Sequence, residues 1–319
     1  MRVLITGATG LVGSEIVRLC HERNIFVNYL TTNSKKVVSR ENYQGFLWNP
    51  SRGEIDLECF KDVTAIINLA GSTISKRWTP RNRKAIIKSR VNSLRTLYQA
   101  LEKIDKSRIV SLVSASAIGV YPHSFDRYYV EDEKQVDDSF LGEVVQIWEK
   151  EVDAFKKLDL KVSKVRIGLV MSLKGGALPE MAKPIKNYVG APIGSGEQWQ
   201  SWIHISDLAR IFLYVVDNEL KGVYNGVGPN PVSNTKLVKE IAKVLDKPLL
   251  LPKIPKFVLQ LLLGKMSYLL LASQRVSSKK IEEEGFVFEY QNICRALDEI
   301  YEGGEGMLSN SVSTKQYVP

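Results

Sequence analysis

The segment TGATGLVG, at residues 6–13, follows a short apolar strand pattern and directly precedes a helical one. Gly7 allows a tight turn off the strand, Gly10 lets the backbone approach a pyrophosphate, and Gly13 lets the helix pack closely on the strand. An ordinary strand-to-helix turn would also explain the glycines alone. A dinucleotide-binding turn is favoured because the helical pattern is present too, with apolar residues at Leu11, Val12, Ile16, Val17 and Leu19.

The loop after the second predicted strand, residues 26–30, indicates which dinucleotide is bound. NAD-binding proteins place an Asp or Glu about 20 residues after the glycines, where it binds the ribose 2′-hydroxyl. No carboxylate occurs between Arg23 and Arg40 here. The loop offers hydroxyl and ammonium groups instead, from Thr32, Ser34, Lys35 and Lys36. Such donors suit a 2′-phosphate, so the sequence predicts NADP(H) rather than NAD(H), with a merely solvated loop as the alternative.

Composition limits the classes of protein to consider. A chain of 319 residues with 44% hydrophobic residues buries a sizeable core and forms one large or two medium domains. Its net charge of +9 comes from scattered lysines and arginines, without aromatic interleaving or a recognised binding module. We therefore expect an anionic small-molecule ligand rather than nucleic acid.

Cysteine and histidine positions argue against a metal site or a disulfide framework. Cysteines at 20, 59 and 294 and histidines at 21, 123 and 204 show no ligand spacing. Free cysteines, and a strand pattern starting at residue 2 that leaves no room for a secretory signal, fit a cytoplasmic protein. The longest apolar stretch, residues 257–272, is too short to span a membrane. We expect a buried or groove-lining helix there, with a membrane-surface element as the alternative.

Strand and helix patterns alternate along the first half of the chain. Strands are predicted at 2–5, 26–30, 64–69, 108–114 and 161–167, and the longest helices at 80–103 and 138–157. This alternation predicts an α/β fold built on a Rossmann-type, doubly wound parallel sheet. Residues 1–168 would form its NADP(H)-binding core.

The second half changes character. Residues 169–302 are predicted to supply the substrate side and a smaller C-terminal α/β domain, with a helix at 235–245. Rossmann elements are expected to return at about 200–227, as a strand, a helix with Ser206 as its N-cap, and another strand. Residues 303–319 are rich in Gly, Ser and Thr and predict a flexible tail.

A serine-containing segment at residues 114–121 closes the strand predicted at 108–114, where open α/β sheets place reactive groups. We assign Ser114 to the cofactor and Ser116 to a substrate carbonyl or hydroxyl. The nearest phenol is Tyr121. No tyrosine in the chain has a lysine four residues later, so Tyr121 should keep a pKa near about 10 and act as a donor rather than a base.

Several short stretches resemble one protein group when taken together: NLAG, KRWT, SRV, SASAIGVY, RIGLV, GGAL, GSGEQ and SWIHISDLA, followed by the apolar stretch at 251–290. They are similar to atypical extended short-chain dehydrogenases/reductases, the epimerase family 39U1-like or bacterial cell-division-inhibitor-like proteins. The resemblance implies NADP(H) binding, a Rossmann fold and a small C-terminal domain, without specifying a substrate. Extended members use a Tyr-x-x-x-Lys acid/base pair supported by a serine, and the corresponding place here reads FLGEVVQIWE.

The same resemblance implies which residues hold the cofactor. The pyrophosphate turn would comprise Gly7, Thr9, Gly10, Leu11, Val12 and Gly13. The strand end on the adenosine side would comprise Leu69, Ala70 and Gly71.

Further candidates lie where loops should face the cleft. Arg77 and Trp78 can clamp an anionic or planar ligand, or form an arginine packed on a core-edge tryptophan. Gln198 and Trp202 are assigned to the substrate pocket. His204 can relay protons, although a lone histidine is more often structural. Arg90, on the long predicted helix, is interpreted as a packing residue.

These observations predict an NADP(H)-binding oxidoreductase or epimerase-like protein acting on a small carbonyl or hydroxyl substrate. The alternative is a protein that senses NADP(H), or serves as a scaffold, without catalysis. The missing tyrosine–lysine pair favours the alternative, whereas the serine segment and the arginine–tryptophan loop favour an enzyme. The oligomeric state stays open.

Overall fold

The structure, a computed structural model, describes residues 1–302, and the predicted tail at 303–319 lies outside the described residues. In chain order its strands are β1 (Arg2–Thr6), β2 (Phe26–Thr31), β3 (Ser39–Arg40), β4 (Tyr43–Asn49), β5 (Glu54–Ile55), β6 (Ala65–Asn68), β7 (Ser111–Ala117), β8 (Tyr128–Tyr129), β9 (Lys161–Ile167), β10 (Leu169–Met171), β11 (Trp199–Gln200), β12 (Trp202–His204), β13 (Gly222–Gly226), β14 (Val232–Ser233) and β15 (Arg275–Val276).

The helices flank these strands. They are α1 (Leu11–Glu22), α2 (Pro80–Leu101), α3 (Phe140–Asp153), α4 (Ala177–Lys186), α5 (Ile205–Asp217), α6 (Asn234–Val244), α7 (Lys256–Leu263), α8 (Tyr268–Leu271) and α9 (Lys279–Glu283). Residues 293–302 are also helical.

A nine-stranded sheet in the order β13-β9-β7-β6-β1-β2-β4-β3, with β5 beside β4, forms the centre. All its pairs are parallel except the short edge pairs β3–β4 and β4–β5. The chain leaves β1 first toward β2 and β4 and then toward β6, β7, β9 and β13, so a switch point lies between β1 and β6. Ligands bind beyond the carboxyl ends of strands at such a point. The predicted doubly wound α/β fold is therefore confirmed.

Two large groups of buried apolar residues stabilise the fold. The first packs α1, α5 and the sheet around fully buried residues such as Ile5, Ile66 and Phe212. The second gathers residues from Met171 to Ile300, with Trp202 fully buried within it. The first includes residues of α5 and of strand β13, so these two elements pack in the core around the central sheet.

Some local expectations were wrong. Strand β4 and helix α4 were not predicted; α4 contains Pro184, which lacks a backbone N–H and is typical of a loop rather than of a helix interior. Helix α5 begins at Ile205 with His204 as its N-cap, not Ser206: the His204 imidazole Nδ1 accepts from the Ser206 N–H at 3.2 Å.

The apolar stretch 257–272 forms two short helices joined by a 3-10 turn rather than one helix. In α7 only Leu259 is buried, so the expectation of a buried helix was wrong. The side chains of Phe257 and Leu261 are largely exposed, whereas Lys256 and Gln260 line a cavity. One face of α7 is therefore groove-lining, as expected.

Candidate functional site

The glycine turn has the geometry that a dinucleotide pyrophosphate requires. Gly7 has φ +73°, a left-handed conformation that favours glycine. A Cβ on Gly13 would lie 2.2 Å from the Gly7 carbonyl oxygen, so only glycine allows α1 to start this close to β1. A Cβ on Gly10 would meet nothing nearer than the Gly7 carbonyl oxygen, at 3.2 Å. The space in front of Gly10 is therefore open to a ligand.

The N-terminus of α1 is available to bind an anion. Its N-cap is Gly10, which brings no side-chain cap, and no acidic residue lies in the first turn. The N–H groups of Leu11, Val12 and Gly13 are the first three of the helix and have no carbonyl one turn earlier inside it. Free N–H groups and the positive end of the helix dipole together favour a phosphate. The residues with these free N–H groups belong to the predicted pyrophosphate turn.

A buried hydrogen-bond relay ties together the strand ends beside this turn. The Thr6 hydroxyl donates to the Asn68 amide oxygen at 2.8 Å, and the Asn68 amide nitrogen donates to the Ser114 hydroxyl at 2.9 Å. The N–H groups of Leu69 and Ala70 both donate to the Thr6 hydroxyl oxygen at 3.1 Å. The relay thus fixes the backbone of the predicted adenosine-side segment, and the fully buried Ser114 acts within the relay.

The loop after β2 lies at the same edge of the sheet, because Thr6 pairs in parallel with Leu30. Asn33 caps a 3-10 turn over Ser34–Lys36 through a bond from the Lys35 N–H at 3.0 Å. Residues 32–36 are all exposed, so the Thr32 and Ser34 hydroxyls and the Lys35 ammonium group are accessible to a ligand.

A cavity of ≈ 190 Å³, called the inner cavity, lies beyond the carboxyl ends of β7 and β9. Its walls come from residues 117–119 after β7, residues 167–169 after β9, residues 199–201, helices α2 and α3, and the segment 269–274. Leu141 and Val145 line it from α3, at the place where the tyrosine–lysine pair was sought. Among the described residues that line this cavity, Arg90 alone is ionisable.

Ser116 and Tyr121 lie together, but in a buried network behind the cavity wall. The Ser116 hydroxyl donates to Glu149 at 2.6 Å, and Glu149 receives two bonds from Arg166 at 2.8 and 3.0 Å. Arg166 also donates to the Tyr121 hydroxyl at 2.9 Å, and that hydroxyl donates to Asn225 at 2.8 Å. Neither Ser116 nor Tyr121 lines the inner cavity. Their side chains connect strands β7, β9 and β13 with α3.

The network shifts the ionisation of its members. Burial raises the pKa of Tyr121 to about 12, above the value near 10 that the sequence suggests, despite the neighbouring Arg166. Burial alone would raise the pKa of Glu149, but bonds from Arg166 and Ser116 lower it below its usual range. Glu149 is therefore a carboxylate at neutral pH, and Tyr121 is a neutral phenol.

Arg90 is a partly buried cation, and no carboxylate pairs with it among residues 1–302. Its Nη1 donates to the carbonyl oxygens of Ser72 and Ile86, at 3.2 and 3.0 Å. Its Cζ lies 4.7 Å from the centre of the Trp148 ring, and burial lowers its pKa to about 10. Arg90 Nε and Trp148 Nε1 are both buried without a hydrogen-bond partner in the described structure.

A second, outer cavity of ≈ 580 Å³ lies between α2, the start of α3 and the segment 256–271. Trp78 lines it, with its indole N–H donating to the Ile74 carbonyl at 2.9 Å and its ring against Phe140. Arg77 is exposed and lines neither cavity. Of the two residues in the predicted clamp, Trp78 lines the outer cavity and Arg77 does not.

The other predicted site residues lie away from both cavities. Trp202 is fully buried, with its indole N–H donating to the Asn230 carbonyl at 2.8 Å. Gln198 is buried and donates to the Ile193 carbonyl at 3.0 Å. His204 caps α5 and stacks 3.9 Å from the Tyr290 ring, and burial lowers its pKa.

Sequence reasoning missed Trp148 and the 199–201 segment, and it interpreted Arg90 as a packing residue. One signal was readable: Arg90 follows Ile86 by four residues and precedes Leu94 by four, so a charged residue occupies the core-facing side of α2. In the segment at 198–202, the sequence analysis chose the wrong residues for the pocket. Gln198 and Trp202 are buried in the protein, while residues 199–201 line the inner cavity.

None of the helices within residues 1–302 is both long and apolar enough to cross a membrane. In the same part of the chain, no cluster of three or more His, Cys, Asp or Glu side chains could hold a metal ion.

Comparison with known sequences identifies two matching family models. The NAD dependent epimerase/dehydratase family matches residues 3–226, and a domain of unknown function, DUF1731, matches residues 254–300. An epimerase family protein of Staphylococcus aureus (strain MRSA252) is 34% identical over 298 residues, covering 93% of this chain and 98% of the relative. One from Staphylococcus epidermidis is 35% identical over 304 residues, covering 94% and 98%.

Solved structures of other proteins are also similar to this chain over most of its length. Human epimerase family protein SDR39U1 (isoform 2), crystallised with NADPH, has a TM-score of 0.81 and 27% identity, covering 95% of this chain and 99% of its own. A dTDP-glucose 4,6-dehydratase from Bacillus anthracis, in complex with NAD, has a TM-score of 0.72 at 19% identity, with coverage of 96% and 98%, and so shares the fold. This chain therefore belongs to the NAD-dependent epimerase/dehydratase family, and its residues 254–300 match the additional domain DUF1731.

Proposed function

We propose that this protein is an NADP(H)-dependent oxidoreductase or epimerase that acts on a small carbonyl or hydroxyl compound held in the inner cavity. The observation that carries the proposal is that the glycine turn and the inner cavity share one edge of the sheet. Strands β1, β6, β7 and β9 end there side by side. A dinucleotide lying along that edge from the turn would present its nicotinamide end toward the cavity.

The residues at the turn fit the cofactor. Open space in front of Gly10 and the first N–H groups of α1 would hold its pyrophosphate. Lys35, Ser34 and Thr32 would contact a 2′-phosphate, which supports NADP(H) over NAD(H). When bound, the nicotinamide ring supplies or accepts the hydride.

The protein's own residues would orient the substrate and exclude water. Leu141, Val145 and Trp148 give the inner cavity apolar walls. Ser116 would act indirectly, by fixing Glu149 and with it the position of α3 against β7 and β9. Tyr121 and His204 are buried elsewhere and would contribute to stability.

One observation favours the second candidate function, a cofactor sensor without catalysis. Among the described residues that line the inner cavity, Arg90 is the only ionisable one. A guanidinium is not a proton donor or acceptor for catalysis at neutral pH. A carbonyl reduced there would have to receive its proton from water.

The test is single-turnover oxidation of NADPH by the wild-type protein against a panel of small aldehydes, ketones and 2-oxo acids. Loss of NADPH absorbance with one of them, absent in Gly10→Val, is expected. A protein that binds NADPH tightly but oxidises it with no panel member would favour the sensor. A protein that binds neither NADPH nor NADH would overturn both functions.

A further inference from the structure

Arg90 is a charged side chain in a place where charge is expensive. Moving a cation out of water costs free energy unless an anion or a full set of acceptors compensates. Only Nη1 of Arg90 is satisfied, by the Ser72 and Ile86 carbonyls. Its Nε is buried without a partner, and no described residue accepts from Nη2.

The unsatisfied edge of the guanidinium has a specific shape. Nε and Nη2 donate in parallel along one side of the plane, which matches the two oxygens of a carboxylate. The neighbouring Trp148 indole N–H is likewise buried and unpaired, and both side chains line the inner cavity. Arg90 and Trp148 thus bring donors without acceptors to the wall of one small cavity.

The other residues that line the inner cavity indicate what kind of molecule carries the carboxylate. Its other lining side chains are predominantly aliphatic, among them Ile118, Leu141 and Val145. A volume of ≈ 190 Å³ is slightly larger than the roughly 150 Å³ that accommodates benzene. A nucleoside diphosphate sugar is far larger than this cavity.

We propose that the inner cavity binds the carboxylate of a small apolar acid, with Arg90 and Trp148 as its anchor. This inference rests on the proposed function only where it takes the bound acid to be a substrate. The Cζ of Arg90 lies 3.1 Å from the position of a Cβ on Gly71, at the strand end predicted to contact the cofactor. The acid group is thus held beside the cofactor end of the cavity.

Calorimetric titration of the NADPH-saturated protein tests the proposal, with benzoate as the probe and benzamide as its neutral counterpart. We expect benzoate to bind at least about tenfold more tightly than benzamide, since a hydrogen bond to a charged group contributes about 1.5–3 kcal/mol. Arg90→Met should weaken benzoate binding about 10- to 100-fold and leave benzamide unchanged. Trp148→Phe keeps the ring and should weaken benzoate several-fold.

Arg83→Met is the matched control, because it removes the same charge from the same helix beside the outer cavity. It should leave benzoate affinity unchanged; an equal loss would reduce the effect to general electrostatics and overturn the proposal. Equal binding of benzoate and benzamide to wild type would also overturn it. A parallel loss of NADPH affinity in Arg90→Met would assign Arg90 to the cofactor phosphates instead.

The proposed function fails separately from this inference. If wild type binds no NADPH, the same benzoate and benzamide titrations on the cofactor-free protein still decide whether Arg90 anchors a carboxylate. Thermal unfolding of each variant shows that the fold is retained, and Arg90→Lys, which keeps the charge but not the paired donors, should lose most of the benzoate affinity.

Discussion

Single residues at the glycine turn separate cofactor binding from folding. A Cβ on Gly10 would contact only the Gly7 carbonyl oxygen, at 3.2 Å, whereas a Cβ on Gly13 would overlap that oxygen at 2.2 Å. Gly10→Val should therefore abolish NADPH binding and leave the free energy of unfolding nearly unchanged. Gly13→Ala should destabilise the protein by about 3 kcal/mol, because the backbone of α1 and β1 must separate. Calorimetric NADPH titration and urea unfolding of both variants make the comparison.

If Gly10→Val bound NADPH normally, the turn would not be the pyrophosphate site. If Gly13→Ala were as stable as wild type, the close approach of α1 to β1 would not constrain that position.

Arg90 permits a second prediction at the residue scale. Burial lowers its pKa to about 10, so folding disfavours its charge at every pH below that value. Relative to the ordinary value for arginine, this lowered pKa corresponds to roughly 3 kcal/mol of destabilisation at neutral pH, partly offset by the Trp148 ring. Arg90→Met should therefore raise the free energy of unfolding by about 1–3 kcal/mol at pH 7, while the gain should shrink above pH 10.

Urea unfolding at both pH values checks this, with Arg83→Met, on the same helix but paired with Glu143 at the surface, expected to change stability by less than about 1 kcal/mol. A destabilised Arg90→Met would mean that the bonds to the Ser72 and Ile86 carbonyls outweigh the burial of charge.

At the scale of elements, the Ser116–Glu149–Arg166 network connects β7, α3 and β9. Glu149→Gln leaves Arg166 buried without its counter-ion and should cost about 3–5 kcal/mol. Ser116→Ala removes one bond to a carboxylate that keeps two others, so about 1–2 kcal/mol is expected. In any reaction found, Ser116→Ala should lower turnover far less than the 10²-fold or more that a hydroxyl touching the reacting carbon would give. A larger loss of turnover would place Ser116 at the substrate.

The same network predicts a pH dependence. The pKa of Glu149 is lower in the folded protein than its ordinary 4.5, so its stabilising contribution is complete above that value. It is lost as pH falls through the folded-state pKa. Unfolding measured between pH 7 and pH 3 should show a steeper fall in stability for wild type than for Glu149→Gln. Equal slopes would mean that Glu149 is not paired as described.

Elements with strong periodicity were predictable, and those set by tertiary contacts were not. Strand β9 matches its predicted bounds at 161–167, where the β-branched residues Val162, Val165 and Ile167 favour a strand. Helix α4 was obscured by Pro184 and by the glycines before it. Which of Trp199 and Trp202 faces a cavity depends on how their strands are placed against residues 228–233 and 273–274, and that pairing is not encoded in local spacing.

At the scale of the molecule, the cofactor half was readable from sequence and the substrate half was not. The glycine turn and the loop at 31–36 are local motifs, and the sheet brings them to one edge. The inner cavity instead collects residues from α2, α3, two strand ends and the segment 269–274. No local pattern connects Arg90 with Trp148; only the packing of α2 on α3 does. The packing of the whole chain thus determines which side chains line the inner cavity.

The last prediction concerns which cofactor binds more tightly. It can be measured by how much each cofactor stabilises the folded molecule. A ligand at 100 times its Kd stabilises the folded state by about 2.7 kcal/mol, which raises Tm by several degrees in a protein of this size. NADPH should therefore raise Tm more than NADH at equal concentration, because Lys35 and Lys36 are exposed beside the turn without a carboxylate between residues 24 and 40. Replacing both lysines by alanine should remove most of that difference. The matched pair Lys156→Ala with Lys157→Ala, exposed near the amino end of β9, should preserve it. Equal shifts by NADPH and NADH in wild type would refute the preference, and a difference that survives in the Lys35/Lys36 double variant would assign the 2′-phosphate contact to other residues.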